Sequence, residues 1–354
     1  MMLRIPIHIV GAAIVLVGAG FLLWHASGVS SGPTPSFTTG TVQEQESYWK
    51  NRIAVVDGTG AYEEFAMATA ALSPGDQHQD AHAFGAALFE VEGQKGLSVC
   101  DNRYSFGCFH EFLGRAIATL GLDALPSLNQ ACRDALPTTS LSCQHGIGHG
   151  VLSYFGYSDG DLEKALDVCR GLPYNDPIGG CYGGVFMEYN VQTMLGTNGK
   201  IRDPKSDLQF PCDTVDSSYK EACIFWQPQW WHQLLKQEGS VERDIFAHMG
   251  LLCDEQKTSD LVRVCYQGVG NVVAPPADFD PKVSATFCET VSHDPSNQLY
   301  CKSFAANSLT VGGAGKTSDG LGVCEGLSGR AYEYCAAYAR NEANIAAPID
   351  QPAL

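Results

Sequence analysis

Residues 143–181 read CQHGIGHGVLSYFGYSDGDLEKALDVCRGLPYNDPIGGC, and their spacing predicts two helices and a staple. Ile147, Val151, Tyr154 and Phe155 fall within about 100° of one another at the helical period, the width of stripe that a packed helix needs. Gly156 to Gly160 end this first helix, and Ser158 or Asp159 can cap a second, whose buried edge is Leu162, Leu166 and Cys169 at offsets 0, 4 and 7. Gly171, Pro173, Pro177, Gly179 and Gly180 then break the chain before Cys181 opens the next unit.

The same unit recurs. Cys100 and Cys108, Cys132 and Cys143, Cys169 and Cys181, Cys212 and Cys223, Cys253 and Cys265, Cys288 and Cys301, and Cys324 and Cys335 make seven sequential pairs. Their first members lie 32 to 43 residues apart, about 37 on average, the length of two short helices and two turns. No CxxC spacing is present, which argues against zinc ribbons and for disulfides formed in an oxidising compartment. The expected fold is therefore all-α: about seven disulfide-stapled αα-hairpins over residues 47–354, stacked as a solenoid or closed into a near-complete α/α ring.

Stapled hairpins of this length, with small residues after the cysteine and a segment such as Tyr157-Ser158-Asp159-Gly160-Asp161-Leu162-Glu163-Lys164-Ala165-Leu166, resemble the cysteine-rich Sel1-like repeats. The resemblance covers roughly residues 76 to 340. Only Cys100 to Cys108 has that family's short spacing; the other six pairs are longer. It implies a right-handed solenoid whose concave face binds a protein or peptide partner.

Ahead of the repeats, residues 1–24 include an apolar run from Ile5 to Trp24, about 30 Å long as a helix and enough to cross a bilayer. Arg4 precedes it and no Lys or Arg follows before Lys50, so the expected orientation leaves the bulk of the chain outside the cytoplasm, in a periplasmic, lumenal or extracellular space. The run is read as a retained anchor. A cleaved signal peptide is the alternative, with Ala26-Ser27-Gly28 as its imperfect cleavage site. Residues 25–46, rich in Gly, Pro and Ser, read as a flexible linker. A net charge of −17 with no basic run excludes a nucleic-acid partner held through phosphates.

The histidines carry the chemistry. His78 and His82 form one i, i+4 pair and His145 and His149 another, each setting two imidazoles on one helix face at metal-ligand spacing. His110 and His145 both stand two residues after the second cysteine of their repeats, so neighbouring helices should bring them together. On the helix from Cys143 the two histidines lie opposite the apolar stripe, which predicts that they line the concave or central face. Gly146, Gly148 and Gly150 suggest close backbone approach there.

Glu188, seven residues past Cys181, is expected to complete the ligand set, and Glu111, next to His110, to serve as general base beside metal-bound water. Such a set suits zinc, iron, manganese or copper better than calcium or magnesium. The function this predicts is metal binding, with a metal-dependent hydrolase or oxidoreductase as the enzymatic form and a non-enzymatic protein- or peptide-binding scaffold as the alternative.

Two further patterns accompany the site. Phe225, Trp226, Trp230, Trp231 and His232 are expected either in the core or at a pocket rim. Asn271, Asn307 and Asn341 each stand six residues after a second cysteine, matching His149, and are expected to extend the same face or to cap helices. Gly312 to Thr317 lacks the first glycine of a phosphate loop, because position 310 is Thr310.

Overall fold

The computed structural model describes residues 40–135, 140–173, 176–196, 208–312 and 315–342. The expected anchor, residues 1–24, and most of the linker lie outside the described residues. Among those described, no helix is long and apolar enough to cross a membrane.

All regular structure among the described residues is helical. A first helix, α1 (Val42–Thr69), lies against α2 (Pro74–Glu92). It starts four residues before the expected end of the linker, because Thr41 and Glu44 form a reciprocal capping box that nucleates the helix. From α2 onward an inner row of helices follows: α3 (Gly107–Leu120), α5 (Ser140–Phe155), α7 (Cys181–Leu195), α8 (Lys220–Gln237), α10 (Ser259–Asn271), α12 (Pro295–Val311) and α14 (Gly329–Ala339). Each member packs on the next. Shorter helices α4 (Leu125–Ala135), α6 (Asp159–Arg170), α9 (Glu242–Asp254), α11 (Pro281–Thr290) and α13 (Thr317–Val323) return between them.

All seven sequential disulfides are formed, with Cα–Cα distances of 5.4–5.8 Å. In five repeats they tie the end of a returning helix to the start of the next inner helix, as the sequence predicts. Two repeats differ: Cys100 follows the 3₁₀ helix Gly93–Val99, and Cys212 lies in a run of turns. The hairpin of residues 143–181 forms as read. Ser158 caps α6 with Asp161 completing a capping box, and Leu162, Ala165, Leu166 and Cys169 are its buried edge.

Inner helix α5 departs from the expected single stripe. Every residue from Cys143 to Leu152 is buried, histidines included, whereas Tyr154 is half exposed. The cause is the row itself. α5 has α3 on one flank and α7 on the other, α4 and α6 behind, and the molecular interior in front. A helix enclosed on all sides has no solvent face for periodicity to reveal.

The flanking contacts are close. A Cβ built on Gly148 would stand 2.1 Å from the Cys181 carbonyl oxygen, and one on Gly184 only 1.9 Å from that of His145, so α5 and α7 meet backbone to backbone. Gly146 faces the Phe109 carbonyl of α3 in the same way. The glycines around the histidines therefore serve helix contact.

The row curves back on itself. The turn Tyr104–Phe106, ahead of α3, touches α12, and the backbone of Gly315 lies beside the Arg103 side chain. The near-closed arrangement expected as one alternative is therefore the one seen among the described residues.

Replacing Gly184 by Ala should force α5 and α7 apart and cost roughly 1–3 kcal/mol, lowering the melting temperature by several degrees. Gly160→Ala, where an added methyl meets nothing within 4 Å, should be neutral or slightly stabilising. Equal melting temperatures for the two variants would contradict the close contact.

Candidate metal centre

Three adjacent inner helices bring five imidazoles together. His78 and His82 stand one turn apart on α2, His110 near the start of α3, and His145 and His149 one turn apart on α5. The ring of His110 stacks on His149 with centroids 4.4 Å apart and lies 5.4–5.5 Å from His78, His82 and His145. Their ligand atoms form two groups that share His110: His78, His82 and His110, and His110, His145 and His149, with the atoms of each group within 4.8 Å of one another. All five predicted histidines thus converge. They are not on an open face, since His110, His145 and His149 are only 4–9% exposed.

Burial favours the neutral form of four of these rings. It lowers the pKa of His78 against a raising hydrogen bond to the Tyr104 carbonyl, and it holds His82, His110 and His145 well below the ordinary histidine value. Neutral imidazole is the form that ligates metal.

The hydrogen bonds behind the rings fix which nitrogen carries the proton. His149 Nδ1 donates to Glu188 Oε2 at 2.8 Å, which turns its Nε2 toward the other rings. The backbone of Gly179 and Gly180 accepts from His145, whose Nε2 also faces the other rings. Those two Nε2 atoms face each other at 3.1 Å. One proton on either nitrogen makes this a hydrogen bond, and a cation between or beside the two would take its place.

His110 Nε2 strengthens the case, because it is buried and has no hydrogen-bond partner among the described residues. A proton between His145 and His149 satisfies those two rings alone, and His110 Nε2 stays without a partner among the described residues. The His78–His82 pair is less demanding. His78 Nδ1 donates to the Tyr104 carbonyl at 2.7 Å, and His82 Nε2, 3.2 Å from His78 Nε2, is free to donate to it.

The surrounding structure fixes the rings in place. Tyr104, Ser105 and Phe106 all have positive φ (57°, 49° and 63°), a strained run for non-glycine residues. It is held by the burial of Tyr104 against Phe65 and Tyr62, and it aims the Tyr104 carbonyl at His78. Behind His145, buried Asp176 accepts from the backbone N–H groups of Ile178 and Gly179 and shapes the loop that faces the ring.

The two carboxylates take other places than expected. Glu188 lies on the Nδ1 side of His149, not among the ligand atoms. Burial raises its pKa, but hydrogen bonds from His149, Tyr157 and Gln192 outweigh that and hold it below the usual carboxylate range. Glu188 orients His149. Glu111 is one residue past His110 and so turned about 100° around α3. It faces Arg115 at 3.4 Å, which is itself paired with Glu46 at 3.0 Å. Partial burial raises its pKa, opposed by Arg115. Glu111 is outside the ligand groups.

Met187 was missed by sequence reasoning. Its Sδ lies 3.4 Å from His145 Nε2. Counting from the second cysteine would have found it, because Met187 stands six residues after Cys181 as His149 stands six after Cys143. Gln229, Asn271, Asn307 and Asn341 share that register, and with Met187 they line one interior cavity of about 660 Å³ that reaches His110 and His145.

Trp226 joins its wall, with its ring 4.9 Å from that of His145, whereas Trp230 and Trp231 pack in the core. Asn307 also donates to the Tyr338 carbonyl and to Asn341, so the amides both line the cavity and tie helix ends. No known family matches the chain, and neither does any curated protein or solved structure.

The geometry separates the two carboxylates. Glu188→Ala should weaken metal binding about 10–100-fold by freeing the His149 ring. Glu111→Ala should change it less than about threefold. Isothermal titration with zinc or copper measures both, and the reverse order would place Glu111, not Glu188, at the centre.

Proposed function

We propose that this chain is an extracytoplasmic protein that binds a transition metal at its five-histidine centre, next to a cavity sized for a small molecule. The seven disulfides support the oxidising location. The single observation that carries the metal is the convergence of three buried imidazoles, with the Nε2 atoms of His145 and His149 3.1 Å apart and the unpartnered His110 nitrogen beside them. Retention of Ile5–Trp24 as a membrane anchor belongs to the same proposal and rests on hydropathy and charge alone.

The cavity supports an enzymatic use of the metal. Pockets of this volume, walled by aromatic rings with a few fixed polar groups, take small ligands. Oxidoreductase chemistry fits the residues better than hydrolysis, because both nearby carboxylates are committed, Glu188 to His149 and Glu111 to Arg115. One observation favours the scaffold reading instead. Gln229, Asn271, Asn307 and Asn341 form a file of amides in one register, which suits recognition of a peptide backbone, as the resemblance to Sel1-like repeats would imply.

Full-length protein purified without a histidine tag should contain transition metal by elemental analysis. Replacing both His145 and His149 by Ala should remove it while leaving helical content and the seven disulfides intact. Wild-type protein that binds no transition metal at neutral pH, or a double variant with full metal content, would refute the proposal. The anchor is checked separately: carbonate-washed membranes should retain the chain with its original N-terminus, and a soluble chain starting near Gly28 would contradict it.

A further inference from the structure

The donor set around His145 identifies the metal more narrowly. It rests on the metal reading above and adds a claim about which ion is held and by what.

Three electron-pair donors meet at one place: His145 Nε2, His149 Nε2 at 3.1 Å from it, and Met187 Sδ at 3.4 Å from it. The unpartnered Nε2 of His110 completes the group. No carboxylate oxygen belongs to it, since Glu188 is engaged from the far side of His149.

Hard ions need oxygen ligands and are poorly served here. Zinc binds thiolate, imidazole and carboxylate in its usual sites, whereas thioether with imidazole is a donor set that selects copper, above all cuprous ion. Met187 is half buried and lines the cavity together with His110 and His145, so sulfur and imidazole face the same space.

We infer that the His110, His145 and His149 group binds copper in its cuprous form, with Met187 as a thioether ligand on the cavity side. The second group, His78 and His82, shares His110 with the first and has no thioether in contact. It stands as the nitrogen-only neighbour of the copper position.

The test is a competition titration of the full-length chain with cuprous ion against bicinchoninate, with ascorbate as reductant to spare the disulfides, and a parallel titration with zinc. Met187→Leu, close in volume, should weaken cuprous binding at least tenfold and zinc binding less than twofold. The zinc arm guards against a merely structural effect, which would move both. X-ray absorption at the copper edge of wild-type protein should show a sulfur neighbour that Met187→Leu removes. Cuprous and zinc affinities that fall together, or only nitrogen and oxygen around the copper, would overturn this inference and leave the metal reading standing. A wild-type chain that binds neither ion would sink both.

Discussion

The spacing of the inner helices decides where every functional atom lies. α5 and α7 touch through Gly148 and Gly184, where no side chain could fit, and similar approaches recur at Gly85 against the Cys108 carbonyl and at Gly270 against that of Cys301. Ordinary helix pairs stand about 8–10 Å apart. Replacing side chains by hydrogen at the contact draws the backbones together, and only then do imidazoles from α2, α3 and α5 stack at 4.4–5.5 Å. The disulfides hold the start of each inner helix in register, so residues at one offset from the cysteine meet on the same interior surface.

Such an interior leaves a polar atom short of a partner. A buried polar atom without one costs about 1–3 kcal/mol, and His110 Nε2 is such an atom among the described residues. The surrounding structure spends further on the arrangement, with three successive residues of positive φ at Tyr104–Phe106 and a buried Asp176 shaping the loop behind His145. Strain and unsatisfied groups gathered at one point are what a ligand site demands of its scaffold. Ion binding would return that free energy to folding, which couples metal loading to stability.

Much of this was legible in the sequence, for physical reasons that also mark where the reading fails. Cysteine spacing survives as a period because each staple must close the same corner, and Ser158 with Asp161 announces a helix start through local hydrogen bonds alone. The five histidines show themselves by i, i+4 spacing and shared offset. Their burial does not, because a stripe calculation treats α5 as if one side met water, and its flanking neighbours come from other repeats. Glu188 attracted the ligand role by its chemistry, while the register pointed one residue earlier, to Met187. The helical first turn at Val42 was hidden because Gly and Ser upstream gave the whole segment a linker's composition.

The central claim is that an ion belongs among His110, His145 and His149. Crystals of the full-length protein grown with copper and measured on both sides of the copper absorption edge test it most directly. The account predicts one strong anomalous peak within bonding distance of the Nε2 atoms of His145 and His149, with His110 as the next nearest ring. A structure at neutral pH with copper present and no peak there, and with His145 and His149 still in contact, would mean that a shared proton fills the role and would contradict the account.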